Sequence, residues 1–208
     1  VLGLIDRKIR QAFSGAAMRY DVLTSLHKEI GRELIRRVDL SCESPRILDV
    51  GMGTGWLTNR LALLFPQAHV VGLDFAGGMI DAAKNQWEGF HIVEAHAGRL
   101  PFREDTFDTV VSNLAYQWVG DFPAAFRQCR EILKTEGTLN ITMFGYHTFE
   151  ELFASLEHGQ DADGPRLSLC RLPKEADVAA AIRNAGFRDV RVERETIRTH
   201  FPDMMALM

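Results

Sequence analysis

Cysteine is scarce: Cys42, Cys129 and Cys170 are the three in 208 residues. An odd number without C-x-x-C spacing argues against a disulfide framework and a thiolate zinc site, and suits a reducing cytoplasm. No set of His, Cys, Asp and Glu has ligand spacing, so no metal is expected. A basic excess is also missing: 24 Lys and Arg stand against 28 Asp and Glu, for a net charge of −4 and a pI near 6.0. That balance leaves no footprint for nucleic acid. Apolar runs stop at strand length, too short to span a membrane. No basic flank, apolar core and small-residue cleavage site stand together at the start, so no export signal is expected. These absences leave a small molecule, or one carried by another protein, as the expected substrate.

What is present suits one domain with a core large enough to need no staples, at 46% hydrophobic and 25% charged residues. The run Ile47-Leu48-Asp49-Val50-Gly51-Met52-Gly53-Thr54-Gly55 reads as an apolar strand entering a G-x-G-x-G turn. Glycines there admit close approach of backbone to a nucleotide-like ligand and φ values that other residues resist. A second apolar strand, Val70-Val71-Gly72-Leu73-Asp74, ends in an acid able to accept from ribose hydroxyls. Leu57 stands where a dinucleotide fingerprint wants a third glycine, which disfavours NAD and FAD.

Periodicity predicts helices over 7–19 and 23–38, then alternation: strand 46–50, helix 55–65, strand 69–74, helix 77–87, strands 90–95 and 107–113, helix 121–133, strand 138–144. Alternation of this kind builds an α/β, mostly parallel sheet. Helices follow over 148–157 and 174–185, the latter capped by Gly186, with a long or broken strand over 187–199 and another helix starting at Phe201-Pro202-Asp203. The stretch 158–173, with two glycines and two prolines, is expected to be a mobile loop. The division is 1–40 helical cap, 46–144 cofactor core, 145–208 substrate-side helices and C-terminal strand.

The form D-V-G-x-G-x-G resembles motif I of class I S-adenosylmethionine-dependent methyltransferases. The resemblance implies a Rossmann-like three-layer αβα sheet and S-adenosyl-L-methionine as cofactor. Asp49 would sit near the amino acid end of the cofactor and Asp74 on its ribose, with Gly51, Gly53 and Gly55 as the cofactor-binding glycines. In the D-x-S-x-x-M-like segment from Asp74, Phe75 and Met79 would lie beside the adenine, although Met79 alone also reads as core. Leu100-Pro101-Phe102, with Phe107-Asp108-Thr109-Val110, is similar to the family's L-P-F-x-x-x-x-F-D-x-V stretch. Five residues before that proline relatives usually carry an aspartate that takes the adenine amino group. Here it is His96, whose neutral ring could accept one hydrogen bond, with the Ala97 N–H reaching a ring nitrogen. Such methyltransferases close the sheet with a reversed seventh strand, for which no sequence follows Met208, so six strands are expected.

Ser112-Asn113-Leu114-Ala115-Tyr116-Gln117-Trp118 resembles the S-N-L-A-x-Q-W motif of malonyl-acyl-carrier-protein O-methyltransferases of biotin synthesis. Phe13-Ser14-Gly15-Ala16-Ala17-Met18-Arg19-Tyr20-Asp21 is similar to their F-x-x-A-A-x-x-Y-D helix. Asn113 and Gln117, just past a strand end, are expected to orient cofactor or acceptor, and Tyr20 to turn its ring toward the sulfonium; Tyr116 and Trp118 also read as packing residues. Transfer to a carboxylate needs alignment and exclusion of water rather than a base, since the acceptor is already ionised. It does need a clamp, for which Arg171 is the candidate, with Arg166 and His147 behind it. A phenol or amine acceptor, such as a quinone precursor, would instead call on His27, His96 or His147. Arg7, Lys8, Arg10 and Arg19 read either as a patch for an acidic acyl carrier or as a solvated helix face. A binding module that keeps the cofactor without transferring methyl is the non-enzymatic alternative. Oligomeric state is left open.

Overall fold

The computed structural model describes residues 3–40, 42–151 and 172–200. Its elements are α1 (Leu4–Leu23), α2 (Ser25–Arg36), β1 (Arg46–Val50), α3 (Trp56–Leu64), β2 (His69–Asp74), α4 (Gly77–Gln86), β3 (His91–Glu94), β4 (Phe107–Asn113), α5 (Phe122–Ile132), β5 (Leu133–Thr142) and α6 (Glu175–Asn184). A short 3-10 turn, Tyr116–Trp118, links β4 to α5.

The strands form one five-stranded sheet in the order β3-β2-β1-β4-β5, every pair parallel. In β1 the four residues after Arg46 are all buried, as befits a strand covered on both faces. Alternate side chains serve the two layers. Leu48, Val50, Leu73 and Val110 join Phe126 and Cys129 of α5 and Ala181 of α6. Ile47, Val70 and Val111 meet Leu34 of α2 with Leu57 and Leu61 of α3. Each such burial stabilises by about 1.5–3 kcal/mol. Winding reverses between β1 and β4, the switch point at whose carboxyl ends α/β sheets open a crevice.

α1 lies across α4. Ala17, Ala76 and Met79 form their shared core with Phe13 and Tyr20 packed against it. A Cβ at Gly78 would stand 2.4 Å from the Ser14 carbonyl oxygen, so only glycine admits this approach.

The rest differs from expectation in specific ways. The first helix runs past residue 19 to Leu23 and breaks at Thr24, whose hydroxyl donates back to the Tyr20 carbonyl at 2.7 Å. The fifth strand begins at Leu133, not 138. Pairing jumps from Phe107–Leu133 to Thr109–Thr138, so Lys134 to Gly137 form a bulge within the strand rather than a turn before it. Among the described residues the sheet has five strands, not six. Residues 187–199, expected as one long or broken strand, lie exposed or half-buried without strand structure, with no sheet edge pairing them among the described residues. α6 ends as expected, at Gly186 with φ +97° and its N–H bonded to the Arg183 carbonyl. Of the expected helix 148–157 only 148–151 are described, a turn at 148 and 149 passing into helix at 150 and 151; nearly all of the loop 158–173 and the start at Phe201 lie outside the described residues.

Candidate cofactor and acceptor site

The turn after β1 is bound to the neighbouring strand. The N–H groups of Gly51 and Met52 both donate to the Leu73 carbonyl, at 2.7 and 3.0 Å. Gly51 has φ +76°, and a Cβ there would overlap the Ala115 Cβ at 2.3 Å. The glycine turn and the loop after β4 therefore close on each other only because Gly51 has no side chain. Gly55 serves differently from Gly51 and Gly53. Its open side faces Trp87, Phe90 and Ala83, and it lines neither cavity described below.

Asp74, at the end of β2, accepts from the N–H of Gly53 at 2.9 Å through Oδ2 and from that of Ala76 at 2.8 Å through Oδ1. Burial pushes its carboxyl above the usual range, against the pull of these backbone donors. Asp49 is more extreme, at 1% exposed. Thr58 donates to its Oδ2 at 2.7 Å, while Oδ1 is buried with no partner among the described residues. Desolvation, partly offset by the Thr58 bond and reinforced by the charge of Asp74, raises the Asp49 carboxyl to about 7. A buried acceptor whose lone pairs are unused is a socket for a donor, best a cation.

Two adjoining cavities open here. The larger, about 610 Å³ counting its open mouth, is lined by Asp74, Phe75, Met79, His96 and Ala97 and by Phe13, Leu114 and Trp118. The smaller, about 430 Å³ counted the same way, is lined by Asp49 with Thr24, His27 and Lys28. Tyr20, Gly51, Gly53 and Asn113 line both.

The loop after β4 is tied down. Asn113 donates to the His27 carbonyl at 2.9 Å and accepts from Thr142 at 2.7 Å, so its amide is anchored at both ends. Leu114 takes φ +55°, costly for a branched residue, and its N–H reaches the Thr142 hydroxyl and carbonyl, both at 3.1 Å. Gln117 donates to the Leu114 carbonyl at 2.7 Å and lines neither cavity.

Sequence reading thus brings together Asp49, Gly51, Gly53, Asp74, Phe75, Met79, His96, Ala97, Asn113 and Tyr20. Gln117 and Gly55 stand behind the walls, and Arg171 and Arg166 lie outside the described residues. His147 pairs with Glu150 at 3.0 Å on the surface. Arg10 of the expected basic patch is paired with Glu94. Phe13, absent from the expected set, stands edge-on to Trp118 with centroids 5.7 Å apart. Its place one helical face along from Tyr20, in the F-x-x-A-A-x-x-Y-D pattern, was the available signal. His27, expected only as a base for a phenol, is a wall residue beside Tyr20, centroids 5.9 Å apart. Burial lowers its imidazole below the usual value, keeping it neutral.

A family profile described as a methyltransferase domain matches residues 47–137. Among solved structures, a Haloferax volcanii methyltransferase in complex with its activator superposes with a TM-score of 0.71 at 22% identity, over 85% of this chain and 75% of that one. The phosphoethanolamine N-methyltransferase 2 of Haemonchus contortus, with S-adenosylhomocysteine, gives 0.63 at 23%, over 78% and 38%. Fold and site define a Rossmann-like methyltransferase that uses S-adenosylmethionine, and the residues fit that cofactor: an orphaned buried carboxylate oxygen, a glycine cradle and a strand-end acid. Relatives narrow it further. The malonyl-[acyl-carrier protein] O-methyltransferase of Gallionella capsiferriformans is 33% identical across 99% of this chain and 73% of its own length, and that of Geobacter sulfurreducens 34% across 99% and 79%. The chain belongs to the malonyl-[acyl-carrier protein] O-methyltransferase family.

Proposed function

We propose that this enzyme methylates the free carboxyl of a malonyl group carried on acyl carrier protein, in biotin synthesis. The observation that carries the reading is similarity along 99% of the chain to relatives bearing that name. A carboxylate acceptor is already ionised and requires no base.

In this reading the cofactor supplies an electrophilic methyl on a positively charged sulfur. Asp49 Oδ1 receives the amino acid ammonium. Asp74, at the cavity wall, would accept from the ribose hydroxyls with its remaining lone pairs. Phe75, Met79 and Ala97 flank the adenine. Gly51, Gly53 and Gly55 give the turn its shape, the first two at the wall and Gly55 through packing. Tyr20 and Phe13 exclude water, and the Tyr20 ring faces the sulfonium. Asn113 and Gln117 act through the loop, holding Leu114 and Ala115 against the glycine turn, and thereby position rather than touch the acceptor. Arg171, outside the described residues, is the proposed clamp for the acceptor carboxylate.

The test is release of S-adenosylhomocysteine with malonyl-acyl carrier protein, free malonate, malonyl-coenzyme A and a quinone precursor. Strong preference for the carrier-linked acid is expected. Release with the phenolic acceptor alone overturns the substrate and makes His27 the base to examine.

A further inference from the structure

The cavity wall that follows Asp74 is built of Phe75, Met79, Ala95, His96 and Ala97. An acidic side chain would present an acceptor there. His96 does not. Its Nδ1 accepts the N–H of Gly98 at 3.0 Å, so that nitrogen carries the lone pair and the neutral ring bears its proton on Nε2. Nε2 lies 3.8 Å from Asp6 Oδ1 on α1, outside hydrogen-bond reach. The ring is fixed edge-on to Phe75, centroids 5.2 Å apart at 89°, and is 17% exposed. Flipping it to present an acceptor would cost the Gly98 bond. What His96 offers a ligand is one donor and no acceptor.

Adenine divides along the same line: its 6-amino group only donates, while its ring nitrogens accept. We infer that His96 is a specificity-determining residue that donates from Nε2 to a ring nitrogen of the adenine and leaves the 6-amino group unread. The enzyme therefore tolerates cofactors altered at purine position 6. This rests on the placement of adenine proposed above. A carboxylate here would have the opposite polarity and would accept from the amino group.

The experiment compares binding, by calorimetry, of S-adenosylhomocysteine and its 6-deamino analogue to the wild type, His96→Asp and Asp74→Ala. Long-range proton–nitrogen NMR of the histidine rings provides the second readout. The wild type is expected to bind the two ligands within about threefold, and His96→Asp to reject the deamino form by about tenfold or more. His96 should show the Nε2–H tautomer. His96→Phe, which keeps a ring and deletes the donor, should weaken both ligands alike, and serves if the aspartate variant does not fold. A tenfold loss of the deamino analogue by the wild type, or an Nδ1–H tautomer, overturns the inference while leaving the cofactor site intact. Undiminished binding of both ligands by Asp74→Ala instead overturns the placement of the cofactor, and the inference with it.

Discussion

Thr58 donates to one oxygen of Asp49 at 2.7 Å and leaves the other buried with no partner among the described residues. The pair joins α3 to the centre of the sheet and divides the carboxylate into a structural half and a half open to a ligand. In the folded protein its proton is held up to about pH 7, against 3.8 for the ordinary group. Between those values the folded state binds more protons than the unfolded chain, so raising the pH through this window destabilises the ligand-free protein. The cost at pH 8 is on the order of 4 kcal/mol. Asp49→Asn is expected to flatten that dependence and to raise stability at pH 8, measured by urea unfolding at pH 5 and 8.

The same residue makes cofactor binding pH-dependent in the opposite direction. An incoming ammonium pairs with the ionised carboxylate, so affinity for S-adenosylhomocysteine should rise as pH increases through about 7, with proton release. Calorimetry in buffers of different ionisation enthalpy reads the proton directly. In Asp49→Asn the release should vanish and affinity fall by about tenfold or more.

Gly51→Ala should destabilise by roughly 2–4 kcal/mol, from a positive φ and from overlap with the Ala115 Cβ. Pairing it with Ala115→Gly should recover the overlap part and leave the backbone part. Full additivity of the two substitutions in thermal unfolding would contradict the contact.

Thr142→Val removes the hydroxyl that serves Asn113 and Leu114 together. Turnover should fall at least tenfold and binding of S-adenosylhomocysteine less steeply, because the turn that Thr142 braces lines the cavities and holds Ala115 against Gly51. An equal loss in both would assign the turn to the cofactor instead.

Much of this was legible because it depends on short-range patterns. Residues 46–55 announce a strand and a turn, Asp74 the end of the next strand, and Ser112 to Trp118 the loop that meets Gly51. Less legible was anything set by long-range partners. Residues 187–199 carry Val190 and Val192 in strand spacing, yet a strand exists only with an edge to pair. The polarity of His96 depends on the Gly98 N–H, and Gln117 has the right residue type in the right motif while its amide turns back to Leu114. His27 follows Tyr20 across the helix break at Thr24, so no single helical period relates them. The bulge of Lys134 to Gly137 mimics a turn in composition and is resolved only by the register with β4.

α1 carries one more consequence. It supplies Phe13 and Tyr20 to the cavity wall, fits Ser14 against Gly78 and fastens Arg10 to Glu94 beside β3. One helix thus ties two cavity-lining rings, a glycine contact and an ion pair together, so a substitution that shifts α1 would disturb all of them at once.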